Sequence, residues 1–248
     1  MRRDRESSRG SRIVAGAVVL ICAVALAASA LSPGTDPRQG NRPEVRNKTQ
    51  AFQVVSVEQI DGDYVLTLRN GSGKDLNGYA IGFGAPGSKV FVELTTSERV
   101  LAPGETAEER IPAANLRAGA DALRQPEITI LAVIFEDRTS DGDPQTIAEI
   151  EQHRLGVKMQ LKRVLPLIEA LLNSSNSDTQ AALDRLKAQI SSLSERPGGD
   201  LPRRVGTGLR SVKEDLLMEI HLFEQAQMTP RQGLARVKEK AKRVMAKL

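Results

Sequence analysis

The chain is poor in the side chains that most often do chemistry. Its one cysteine, Cys22, lies inside an apolar run, so the rest of the chain has no internal disulfide, thiolate nucleophile or Cys-based metal site. There is no Trp, and only five Phe and two Tyr occur in 248 residues. Stacking platforms are scarce, which argues against a nucleic-acid partner. His153 and His221 are the two histidines, and neither has a His or Cys at metal-ligand spacing. No serine stands on a nucleophile elbow. No catalytic, cofactor-binding or metal-binding set is nominated, and the chain reads as a protein that is not an enzyme.

What it does have comes first at residues 13–31, IVAGAVVLICAVALAASAL, nineteen residues without a charge. As a helix that run spans about 28 Å, near the apolar thickness of a bilayer. Arg2, Arg3, Arg5, Arg9 and Arg12 precede it, and only Arg38 and Arg42 fall in the next dozen residues. That asymmetry keeps the N-terminus in the cytoplasm and sends the rest across. The run from Ile13 to Leu31 has two readings. It exceeds the 7–15 residues usual for a signal peptide, which suits a retained transmembrane helix; Ala28 and Ala30 form an A-x-A site, which suits a signal peptide cleaved after Ala30. Ile21 before Cys22 argues against lipidation. Either way the bulk is extracytoplasmic, held at the membrane by the anchor or released from it.

Charge divides the remainder. Residues 1–50 carry 9 basic and 4 acidic groups, residues 51–138 carry 8 and 13, and residues 139–248 carry 18 and 14. Residues 32–50 hold three prolines and scattered charge without apolar periodicity, and read as a flexible linker. Residues 51–138 alternate apolar and polar positions between turn signals. Tyr64, Leu66 and Leu68 share one face, Tyr79, Ile81 and Phe83 another, and 128–135 is continuous enough for a central strand. Six or seven antiparallel strands at this spacing predict a β-sandwich with its polar alternates in water.

Two turn-forming segments carry a resemblance. The stretch 66–75 (LTLRNGSGKD) and the stretch 101–106 (LAPGET) are similar to bacterial immunoglobulin-like modules of the FxLYD type. The F-x-L-Y-D segment itself does not occur; Ala80–Phe83 stands in that place. The resemblance implies an Ig-like sandwich and specifies no ligand. The whole chain also resembles uncharacterised membrane-anchored bacterial envelope proteins with a sandwich and a helical tail, which implies a bacterial cell envelope: anchored in the inner membrane, or periplasmic or secreted if cleaved.

From residue 144 the period becomes helical. Ile147, Ile150, Val157, Leu161, Val164, Ile168 and Leu171 fall at heptad spacing, with Arg154 at one such position. Asp143-Pro144 is a cap followed by a first-turn proline; Gly156 weakens the helix, and Pro166 is expected to kink or break it. A loop is expected over 198–207. About four amphipathic helices over 144–248 predict an α-helical bundle or hairpins, packed on a sandwich face or on a second chain as a homo-oligomer. The fold class is α+β.

Several motifs compete with plainer readings. The Gly82-Phe83-Gly84-Ala85-Pro86-Gly87 stretch matches G-x-G-x-x-G but precedes a strand, so it reads as a hairpin turn. Asp137, Asp141 and Asp143 offer hard oxygens to calcium, against a solvated turn with a helix cap. Glu136, Asp137 and His153 are where an alternative enzymatic site would lie, although both histidines read as surface residues. Residues 231–248 carry seven basic groups and one acid. Arg236, Lys238, Lys240, Lys242 and Arg243 are the candidate contacts to an anionic membrane or polyanion, against a solvated helix face. The function expected is a membrane-tethered interaction module for an envelope protein or a glycan, without a cofactor.

Overall fold

In the computed structural model, described over residues 43–84, 88–95, 99–117, 127–175 and 179–248, these patterns become eight strands and five helices. The chain divides into two units, Met1–Gln39 and Gly40–Leu248, and the described residues belong to the second. The run 13–31 lies outside the described residues. Among those described, no helix is long and apolar enough to cross a membrane.

The fold is mixed α+β. A three-stranded sheet has the order β2 (Phe52–Ile60), β3 (Asp63–Asn70), β6 (Thr106–Ile111). The larger sheet runs β1 (Glu44–Asn47), β7 (Glu127–Phe135), β4 (Leu76–Phe83), β5 (Lys89–Glu93), with β8 (Ser140–Gly142) also on β7. Helix α1 (Ala113–Arg117) is a single short turn between β6 and β7. The alternating residues of both sheets meet in one core that includes Leu66, Leu68, Tyr79, Ile81, Ile128 and Ile130. Phe52 meets Tyr79 edge-on at 5.1 Å between ring centres.

Two features depart from the sequence expectations. Residues 44–47, within the stretch assigned to the linker, form β1 and pair in parallel with β7. Their pairing partner lies some eighty residues away, so nothing local in composition announces it. Second, the outward alternates of the larger sheet are not polar and solvated. Gly78, Ala80 and Gly82 on β4 and Ala132 on β7 are small, and Ala80, Ala132 and Ile134 cluster with Ile147 and Ile150 of α2 (Pro144–Leu172). The sheet is therefore covered on both sides, and small side chains admit the helix.

Four long helices follow one another: α2, α3 (Gln180–Ser192), α4 (Arg203–Gln225) and α5 (Pro230–Lys247). Asp143 caps α2 by accepting from Thr146 N, and Thr229 with Gln232 forms a capping box on α5. Helix α2 continues through Pro166 without a break. Helix α4 begins at Arg203, so the last five residues of the expected loop, 203–207, are helical. The apolar stripes join in a second core that includes Leu161, Ile168, Leu186, Ile220, Leu234 and Val244.

Gly156, read as a weak point of its helix, is where α2 and α4 approach backbone to backbone. A Cβ on Gly156 would sit 2.1 Å from the Val205 carbonyl oxygen, and one on Gly208 would sit 2.1 Å from the His153 carbonyl oxygen. Contacts climb both helices together, from His153 with Gly208 to Leu161 with Val212 and Leu216, so α2 and α4 run parallel. Gly233 of α5 makes a similar approach to the Phe223 ring.

Candidate functional site

The junction of the sheets and the helices, where the calcium ligands and the alternative enzymatic site are expected, is built by four consecutive residues. Asp141 accepts hydrogen bonds from the backbone N–H groups of Gln50, at 2.5 Å, and Ala51, at 3.0 Å. That carboxylate pins the crossing from β1 into β2. Gly142 adopts a φ of +113°, and a Cβ there would fall 2.3 Å from the Leu131 carbonyl oxygen. Asp143 accepts from Thr146 N at 3.0 Å and lies 3.6 Å from Lys48. Those bonds, that of the Thr146 hydroxyl first, hold its carboxyl below the usual range. Pro144 then begins the helix.

The three aspartates considered for calcium are thus engaged in separate tasks. Asp137 bonds Lys74 at 2.8 Å and accepts from Thr139, which lowers its pKa to about 2. No group of three acidic, His or Cys side chains suited to a metal ion occurs among the described residues. The residues of the alternative enzymatic site also look to different partners. Glu136 lies 3.8 Å from Lys247, Asp137 holds Lys74, and His153 Nδ1 is 3.4 Å from the Thr207 hydroxyl. His153 is half-buried against α4 rather than a surface residue, and burial lowers its pKa.

Arg154 explains its own place in an apolar stripe. Its Nε donates to Glu93 Oε2 at 2.9 Å and its Nη2 to Glu93 Oε1 at 2.7 Å, a two-pronged pair. Nη2 also donates to Asn77 Oδ1 at 2.8 Å. The two charged side chains are only 10% and 13% exposed. Gly78 makes room, since a Cβ there would lie 2.8 Å from Nη2. Around this pair, Lys89 binds Glu149 at 2.8 Å, and the Arg204 guanidinium lies over the Phe91 ring at 4.0 Å. The charges are matched across the seam, which joins β4 and β5 to α2 and α4. Spacing alone revealed Arg154 but not Glu93 or Asn77, which are distant in sequence.

The basic face of α5 is partly consumed inside the protein. Lys238 and Lys242 lie 3.3 and 3.1 Å from Glu169, whose pKa they lower, with Lys242 the larger influence. Lys240 binds Glu219. Arg243 is likewise engaged within the protein, and Arg236 is exposed. Three of the five candidate contacts therefore present charge that an internal carboxylate already offsets.

Comparison with known proteins adds no relative: no family model, no curated protein and no solved structure matches the chain. The geometry must therefore speak for itself. Its most open feature is one the sequence signals did not single out. Strand β2 is an edge of its sheet, and β3 is the strand it pairs with among the described residues. Val54, Val55 and Ile60 are 39%, 57% and 43% exposed. Val55 sits at a register shift between Val54 and Ser56. The opposite edge of the same sheet, β6, carries Glu108, Glu109 and Arg110. Glu109 turns inward to accept from the Tyr79 hydroxyl. An inward charge and a charged rim are devices that keep an edge from pairing. On β2 the sole charged residue is Glu58.

Proposed function

We propose that this chain is a membrane-tethered, extracytoplasmic interaction protein of a bacterial cell envelope, and that its Ig-like sandwich receives an extended segment of a partner protein along β2. Strand order supports the Ig-like reading. The strands β2, β3 and β6 stand as A, B and E do, and β5, β4, β7 and β8 stand as C′, C, F and G. The two turn segments of the FxLYD resemblance also adjoin. Buried Asn70 donates to the carbonyls of Lys74 and Leu101 and accepts from Ser72, while Gly104 N donates to the Asn70 carbonyl.

The observation that carries the proposal is the contrast between the two edges of one sheet. An edge strand offers backbone N–H and C=O groups, and a partner that adds a strand bonds to them while its side chains fill flanking pockets. A glycan partner finds less here, because sugars favour exposed aromatic faces and both tyrosines, Tyr64 and Tyr79, are buried. The apolar run 13–31 supplies the tether.

The test is site-specific photocrosslinking in cells, with the full chain carrying the photoreactive residue at Val55 or, as the control edge, at Glu108. A discrete protein adduct from position 55 and none from position 108 is expected. Equal adduct patterns, or none from either, would refute the docking edge. A reporter fused after Tyr79 that reads as cytosolic would refute the compartment.

A further inference from the structure

The helical bundle holds a groove of about 260 Å³ between α2, α4 and α5 that neither the seam nor the β2 edge uses. Its floor is apolar: Leu161, Val212, Leu216, Val237, Ala241 and Val244. Met218, at the lip, is 57% exposed, and Leu222 one turn further along α4 is 50% exposed. Three charged groups face the mouth, Asp215 and Glu219 from α4 and Lys240 from α5. They are not evenly matched. Lys240 is bound to Glu219. Among the described residues, no hydrogen bond or ion pair engages the Asp215 carboxylate. Asp215 is an exposed residue of the lip; partial desolvation beside the apolar floor raises its pKa, and the nearby Glu214 and Glu219 push in the same direction against Lys240.

Size and charge together describe an occupant. An apolar cavity of about 150 Å³ can take up benzene, so this groove has room for a branched alkyl group of leucine size or somewhat larger. Its mouth has an excess of negative charge, which disfavours an anionic headgroup or an acidic peptide. A cation beside the apolar group would relieve the unmatched carboxylate. We infer that the groove binds an amphipathic basic segment of a partner protein, with a large apolar side chain on the floor and a neighbouring Lys or Arg against Asp215. The inference rests on the reading of the chain as an interaction protein. It concerns different elements from the β2 edge, so either surface can fail its test while the other stands.

The test uses the full chain in lipid nanodiscs, with methyl NMR of its Leu and Val residues. Three small probes share one branched tail: 3-methylbutylammonium, 3-methylbutanol and 3-methylbutanoate. The ammonium is expected to shift the methyls of Leu161, Val212, Val237 and Val244 at a concentration at least about tenfold below that needed by the carboxylate. Asp215→Asn, a change at the lip, is expected to abolish the ammonium's advantage over the alcohol. Ala241→Met, which fills the floor, is expected to abolish binding of all three. A fourteen-residue helix of Leu and Lys should shift the same methyls, and one of Leu and Glu should not. Equal binding of ammonium and carboxylate, or an advantage that survives Asp215→Asn, would overturn the inference. So would exclusion of the Leu and Lys helix while the small amine binds. A dimer seen by ultracentrifugation and lost in Met218→Lys would also overturn it, because the occupant would then be a second copy.

Discussion

Replacing Gly156 with alanine separates local preference from packing, because the two predict opposite signs. On an isolated helix, alanine in place of glycine stabilises by about 1 kcal/mol. Here the new methyl would stand 2.1 Å from the Val205 carbonyl oxygen and 3.0 Å from Leu209 N, where ordinary contact begins near 3.4 Å. Both obstacles are backbone, so no side chain can swing away. The helices must part by more than an ångström, which loosens Val157 and Leu161 against Val212 and Leu216. Overpacking of this kind costs about 1–3 kcal/mol. We take the upper end, since backbone must move, and subtract the gain in propensity. The expected net loss is about 2 kcal/mol, or about 4–8 °C in Tm for a unit of this size. Thermal unfolding followed by circular dichroism at 222 nm measures it. Adding Gly208→Ala should cost less than its own single effect, because one separation accommodates both methyls. A Tm for Gly156→Ala equal to or above that of the parent would refute the crossing.

The seam makes a second prediction: Glu93→Gln or Arg154→Met alone should cost about 3–5 kcal/mol by urea unfolding, and the Glu93→Leu, Arg154→Met double variant should cost less than either, since no buried charge is left unmatched. Gly142→Ala should lose at least about 2 kcal/mol, because its φ of +113° and the Leu131 carbonyl oxygen 2.3 Å away both oppose a side chain. Asp137 should titrate near 2 by NMR, against its ordinary 3.8, and Lys74→Ala should raise that value. Its stabilising contribution is present above the ordinary value and is lost as pH falls through about 2. His153 has a pKa lowered from its ordinary 6.5, so the unfolded chain binds its proton first; stability should hold above about 6.5 and decline as pH falls below it, and His153→Gln should flatten that dependence.

Much of the architecture could be read before any coordinates. Tyr64, Leu66 and Leu68 of β3 are buried together on one face, as their alternation requires. The cap at Asp143 stands where Pro144 announced it. The site was far less legible. A carboxylate looks the same in sequence whether it binds calcium, caps a helix or pins a crossing strand, and Asp137, Asp141 and Asp143 are told apart only by the donors that meet them. Lysines on α5 looked like a free basic face until Glu169 and Glu219 appeared opposite them.

Residue order alone determined the periods, the turns and the caps, because each is settled within a few residues by backbone sterics and by which face must leave water. Tertiary structure decided the rest: the parallel seat of β1 on β7, the partners of Arg154, the two-glycine crossing of α2 and α4, the unguarded β2 edge and the unmatched Asp215. Each of these depends on groups brought together from distant parts of the chain, and short-range pattern carries no record of what arrives from afar.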